Sequence, residues 1–142
     1  MNAPHILAVA TANPSQAFTQ YEMLALAGYA DSRRRGFFLN SGIEQRYLAI
    51  PRIGFSLDET INQLQMRCRS ASVELGVSAL RRACDQAGLD TRAIDFLATT
   101  PCTWRLCPSL DTLIAREIKL RSDLQRVHVG DTGCASAMVA LQ

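Results

Sequence analysis

The chain has 142 residues, of which 48% are apolar and 20% charged, with a formal net charge of +2. That is enough apolar material for one core of ordinary domain size, and the near balance of charge speaks against general nucleic-acid or membrane-surface binding. No apolar run reaches membrane-spanning length, and the opening MNAPHILAVATANP lacks a basic stretch ahead of a signal-type core, so a cytoplasmic protein is expected.

Taken in order, residues 6–10 (ILAVA) form an apolar run bounded by Pro4 and by Asn13 with Pro14, the pattern of a buried strand. Thr19 with Glu22 makes a capping box ahead of MLALAGYA, which predicts a helix. A basic triplet, Arg33, Arg34 and Arg35, precedes Gly36, Phe37, Phe38 and Leu39. The segment 41–50 (SGIEQRYLAI) ends in a strand closed by Pro51, and residues 52–56 read as loop.

Ser56 and Glu59 suggest a second capping box, and residues 57–88 contain no proline. Val73, Val77, Leu80, Cys84 and Ala87 recur at helical spacing as one apolar face, with Gly88 where a C-cap belongs and Arg81 and Arg82 toward the negative end. Residues 93–98 (AIDFLA) read as a strand, 99–108 as a loop and 109–120 as a helix. After a connection over 121–125 comes RVHVGDTGCASAMVALQ: a short strand around Val127 and Val129, a turn over 130–133, and a small-residue helix opening at Cys134. Strands alternating with helices predict an α/β layer fold.

The five cysteines, Cys68, Cys84, Cys102, Cys107 and Cys134, are odd in number and include no CxxC pair. Neither a disulfide framework nor a metal site is indicated, and no cofactor is expected. Cys84 falls on the apolar stripe, as a small buried hydrophobe would. Cys134 is placed differently. Free N–H groups at a helix start stabilise a thiolate and can hold a developing oxyanion, which suits attack on a thioester. A cysteine flanked by glycine and alanine also fits as a plain core residue.

Four segments, ILAVATANPSQAFTQ, SGIEQRYLAI, CTWRLCPSLDTLIAREIKL and RVHVGDTGCAS, together resemble the type III polyketide synthases, the chalcone synthase-like enzymes of the thiolase superfamily. The resemblance is collinear over essentially the whole chain. It implies a thiolase-like N-terminal half, a layered α/β fold with a mixed sheet and helices, over residues 1–142 and ending just after the nucleophile. The related ketoacyl carrier-protein synthases of the III type share the Pro-Ser helix and the nucleophile turn, but the Cys-Thr before Pro108 and the ILAVATANP opening favour the polyketide synthases.

The resemblance makes Cys134 the nucleophile that takes an acyl group from an acyl-CoA starter, which is then extended with malonyl-CoA. It puts Arg33 on a basic position that grips coenzyme A phosphates, with Arg34 and Arg35 standing in because Gly36 and Asn40 occupy two other positions commonly basic. A guanidinium fork suits phosphate, although a charge run is also what a solvated surface looks like. Cys102, Thr103 and Cys107 fall on the loop lining the acyl cavity, Thr103 beside the nucleophile and Cys107 where a larger residue crosses a homodimer interface. Trp104 and Arg105 depart from the small or apolar residues usual there. The family's catalytic histidine and asparagine lie further along its chains, and neither His5 nor His128 stands in the place of that histidine. A non-catalytic fragment is therefore the alternative from another class.

Overall fold

The computed structural model describes residues 3–101 and 105–141, so Cys102, Thr103 and Trp104 of the expected cavity loop lie outside the described residues. The chain divides into two compact units, Asn13–Arg67 and a second made of residues 3–12 with those from Cys68 onward.

In the first unit, strand β1 (Gln16–Thr19) pairs antiparallel with β2 (Gln45–Leu48), Gln16 opposite Leu48 and Thr19 opposite Gln45. Helix α1 (Gln20–Ala27) starts on the expected capping box: Glu22 N–H donates to Thr19 Oγ1 (3.2 Å) and Thr19 N–H to Glu22 Oε2 (2.7 Å). The hydrogen bonds from Thr19, then the nearby Arg52, hold the Glu22 carboxyl below the usual carboxylate range. The basic triplet, left unassigned by periodicity, lies on helix α2 (Ser32–Leu39), capped by Asp31 Oδ1 accepting from Arg34 N–H at 2.8 Å.

Gln20 ties these pieces together while buried. Its Nε2 donates to Phe38 O (2.8 Å) and Ser41 Oγ (2.7 Å), and its Oε1 accepts from Arg46 Nε (3.0 Å). Around the small core of Phe18, Leu24 and Ile50, four guanidiniums stack on rings at 5.2–5.9 Å: Arg34 on Tyr29, Arg46 on Phe38, Arg52 on Phe18 and Arg67 on Phe55.

Helix α3 (Ile61–Ala87) begins later than the sequence suggested. Thr60 and Gln63 make the reciprocal cap instead, with Thr60 N–H to Gln63 Oε1 at 2.9 Å and Gln63 N–H to Thr60 Oγ1 at 3.3 Å. Glu59 is drawn to the Arg67 guanidinium (2.8 and 2.5 Å), which holds its carboxyl below the usual range. At its far end α3 closes as expected on Gly88, with a positive φ of 65° and the paired bonds Leu89 N–H to Cys84 O and Gly88 N–H to Asp85 O.

In the second unit, β3 (Phe96–Thr99), α4 (Leu110–Glu117) and β4 (Gln125–His128) form a β–α–β unit whose strands run parallel, Phe96 opposite Gln125 and Thr99 opposite His128. The helical stripe read from sequence lines the core: Val77 and Cys84 of α3 are buried with Leu113, Ile114 and Leu124. Burial, then Asp85 and Asp90, pushes the Cys84 thiol up, as a structural cysteine should behave.

The predicted strand at residues 6–10 is absent. Among the described residues that run joins no ladder, and Ile6, Leu7 and Val9 are 80%, 70% and 74% exposed. A strand exists only against a neighbour's hydrogen-bonding edge; β3 and β4 pair with each other and neither pairs with this run. An Arg82 guanidinium bond to Thr11 O (2.9 Å) does hold the segment at its end. Among the described residues, no helix is long and apolar enough to cross a membrane.

Candidate active site

Cys134 is delivered by the end of β4. One residue past the strand, Val129 N–H donates to Thr99 O (2.9 Å), so the pairing with β3 continues up to the turn. Asp131 and Gly133 then take left-handed backbone (φ 65° and 56°), conformations that aspartate tolerates and glycine adopts freely. Cys134 itself sits in a 3-10 turn, Gly133–Ala135, and the α-helix proper, α5, is Ser136–Ala140. The cysteine thus precedes the helix rather than opening it. The turn is anchored by Ser136, 1% exposed, whose Oγ lies 2.6 Å from Thr132 Oγ1, and by Ala135 N–H to Thr132 O (3.2 Å). The thiol of Cys134 is exposed, in contrast to buried Cys84.

From the expected cavity loop, Arg105 reaches the turn: Nε and Nη2 lie 2.9 and 2.8 Å from Asp131 Oδ1. The residue that departs from the family pattern therefore has a partner, three positions before the cysteine. Both side chains are exposed, so the pair orders more than it stabilises. Cys107 is exposed, just ahead of Pro108, with a cis bond between them.

Beneath the turn lies a polar cluster that sequence reading did not assemble. His128 Nδ1 is 3.1 Å from Thr99 Oγ1 and 3.8 Å from Oδ1 of Asp111, the second residue of α4, whose side chain is 7% exposed. Thr112 Oγ1 lies 3.4 Å from Asp111 Oδ2 and accepts from Arg126 Nη1 at 3.0 Å. Its sequence signal was a lone histidine on the strand before a reactive-looking turn.

The basic triplet belongs to the first unit. Arg34 is engaged by Asp31 (3.4 Å) and Tyr29. Arg35 edges an open cleft of about 270 Å³ walled by Tyr21, Leu24 and Tyr29.

No protein-family model matches the sequence. Individual proteins do. The chain is 28% identical over 141 residues to a 3,5-dihydroxyphenylacetyl-CoA synthase of Streptomyces toyocaensis, an alignment covering 97% of this chain and 36% of the relative. It is 30% identical over 143 residues to a 1,3,6,8-tetrahydroxynaphthalene synthase of Streptomyces peucetius subsp. caesius, covering 96% and 38%. Its backbone superposes on a fungal type III polyketide synthase with a TM-score of 0.81 at 23% identity, covering 96% of this chain and 38% of that one. The chain is a homologue of the type III polyketide synthases. Polyketide synthase PKS-I from the brown algae Ectocarpus siliculosus matches with a TM-score of 0.76 at 27% identity, over 94% of this chain and 41% of that structure. The α/β, thiolase-like fold class read from sequence therefore holds. The chain spans between a third and two fifths of the length of the curated relatives it matches.

Proposed function

We propose that this chain carries the nucleophile of a condensing acyltransferase that builds polyketides. The observation that carries the reading is an exposed cysteine on a strand–turn–helix corner, in a chain collinear over nearly its whole length with polyketide-synthase relatives. The Cys134 thiolate attacks the carbonyl of an acyl-CoA, and the coenzyme A thiolate leaves with the proton that the cysteine gave up. Malonyl-CoA loses carbon dioxide, and the resulting enolate carbon attacks the acyl group on Cys134. That step frees the thiolate and leaves a β-ketoacyl-CoA.

Arg33, Arg34 and Arg35 hold coenzyme A phosphates in this reading, and Cys102, Thr103 and Cys107 line the acyl cavity. The functional form is a homodimer. In the family the chain resembles, the histidine and asparagine that assist decarboxylation lie further along than the segment these 142 residues match, so in this reading residues 1–142 act as the nucleophile-bearing part of a thiolase-like domain and do not condense substrates by themselves. Malonyl-CoA-dependent product from the purified 142-residue chain would contradict that last statement. Extension from a carrier-protein-bound malonyl group, but not from malonyl-CoA, by an enzyme containing this segment would move the reading to the ketoacyl synthases.

A further inference from the structure

Asp111 poses a problem that the proposed chemistry does not solve. Its carboxylate is almost wholly buried, at the start of α4. Oδ2 has Thr112 Oγ1 at 3.4 Å and Arg126 Nη1 at 4.0 Å. Oδ1 is fully shielded and has no hydrogen-bond partner among the described residues. A buried carboxylate oxygen left unpaired is costly enough that native structures seldom keep one. The group facing Oδ1 is the His128 imidazole, with Nδ1 at 3.8 Å and a side chain only 25% exposed.

We propose that Asp111 and His128 form a buried carboxylate–imidazole pair, His128 donating from Nδ1, that positions the turn presenting Cys134; this rests on Cys134 being the nucleophile. A small side-chain adjustment brings 3.8 Å to hydrogen-bond length, and Thr99 Oγ1, 3.1 Å from the same Nδ1, shares the proton as a second acceptor.

The pair is well placed to control the turn. His128 is the last residue of β4. The opposite side of its ring faces the space that a side chain at Gly130 would fill, a Cβ there lying 3.6 Å from Nε2 and 3.7 Å from Cδ2. Thr99 grips the same stretch through its carbonyl, which accepts from Val129 N–H. Residues of β3, β4 and α4 thus converge at the entrance to the turn, and the carboxylate fixes which imidazole nitrogen carries the proton, the role that orienting partners play around other functional histidines. Asp111 and His128 are positioning residues here; neither need touch substrate.

The chain's two histidines make the test direct. His5 is exposed near the amino terminus, so His5→Gln leaves His128 as the single imidazole without touching the cluster. In ring-¹⁵N-labelled protein, Nδ1 of His128 is expected to be protonated, and its resonance to move in Asp111→Asn and less in Thr99→Val. An unprotonated Nδ1, or a resonance indifferent to Asp111→Asn, overturns the pair. For positioning, the alkylation rate of Cys134 by iodoacetamide is followed by peptide mass spectrometry, with buried Cys84 as internal reference. His128→Leu is expected to slow it severalfold, and His128→Asn, which restores an N–H donor near the Nδ1 position, to recover most of the loss. Unchanged alkylation in His128→Leu overturns positioning. An intact imidazole signature together with no acyl transfer to Cys134 from acyl-CoA supports the pair and rejects the nucleophile reading instead.

Discussion

The two units are built on opposite economies of contact. Asn13–Arg67 closes on itself through antiparallel pairing, reciprocal caps and arginines stacked over rings, and its polar hub Gln20 has its side-chain amide groups bonded. The other unit rests on a parallel strand pair, an arrangement ordinarily buried on both faces, yet Phe96 and Val127 are 53% and 38% exposed and residues 6–10 pair with nothing. The proposed nucleophile lies in this second unit, on the turn that follows β4. Binding and catalytic residues gather on loops and strand ends that a scaffold holds in place, and the turn after β4 is such a position.

The largest expected effects come from the two cores. Leu24 and Ile114, each 4% exposed, anchor one unit each; Leu24→Ala and Ile114→Ala should each cost about 2–5 kcal/mol. Hydrogen exchange would read the first in α1 with β1 and β2, and the second in α4 with β3 and β4. Next comes Gln20→Ala, which removes the acceptor of Arg46 Nε and one donor to Phe38 O, a carbonyl that keeps Ser41 Oγ at 2.8 Å, and should cost about 1–2 kcal/mol in denaturant titration. A cost below about 0.5 kcal/mol would show that water serves those groups equally well.

A subtler probe sits in the second unit, where a Cβ on Gly76 would lie 2.6 Å from Ile114 Cδ1. Gly76→Ala gains roughly 1 kcal/mol of helix propensity but overpacks that contact. Adding Ile114→Val removes the clashing methyl, so the double mutant should be more stable than the sum of the singles by about 1 kcal/mol.

Much of the scaffold was legible because its signals are local. Thr19 with Glu22 fixed the start of α1, and Gly88 with the Val77–Cys84 stripe fixed the end and buried face of α3. That residues 6–10 form no strand was not legible, since an apolar run announces burial but not the neighbour a strand needs. The start of α3 was misplaced because Glu59, a fair capping residue by spacing, had a stronger partner in Arg67. At the candidate site, Cys134 and its glycine turn were readable from residue order. The Asp111–His128–Thr99 cluster was not, because it depends on parallel register and on how α4 crosses between the strands.

Smallest of all is the response to pH, and the units should differ in its sign. Glu22 and Glu59, both held below the usual carboxylate range, lend the first unit stability that is present above that range and lost as pH falls through their lowered values. Cys84, pushed up by burial, favours the second unit below the ordinary thiol range, and that contribution is lost as pH rises through its raised value. Glu22→Gln with Glu59→Gln should flatten the acid response and Cys84→Ala the alkaline one, as followed by hydrogen exchange across pH.

The central claim is that exposed Cys134, and not the chain's other thiols, is the acyl acceptor. Incubating the protein with an acyl-CoA and mapping the thioester by peptide mass spectrometry tests it directly. The account predicts an acyl adduct on Cys134 that disappears in Cys134→Ala while binding of coenzyme A persists. An adduct on Cys68, Cys84, Cys102 or Cys107 in its place, or undiminished loading in Cys134→Ala, would contradict it.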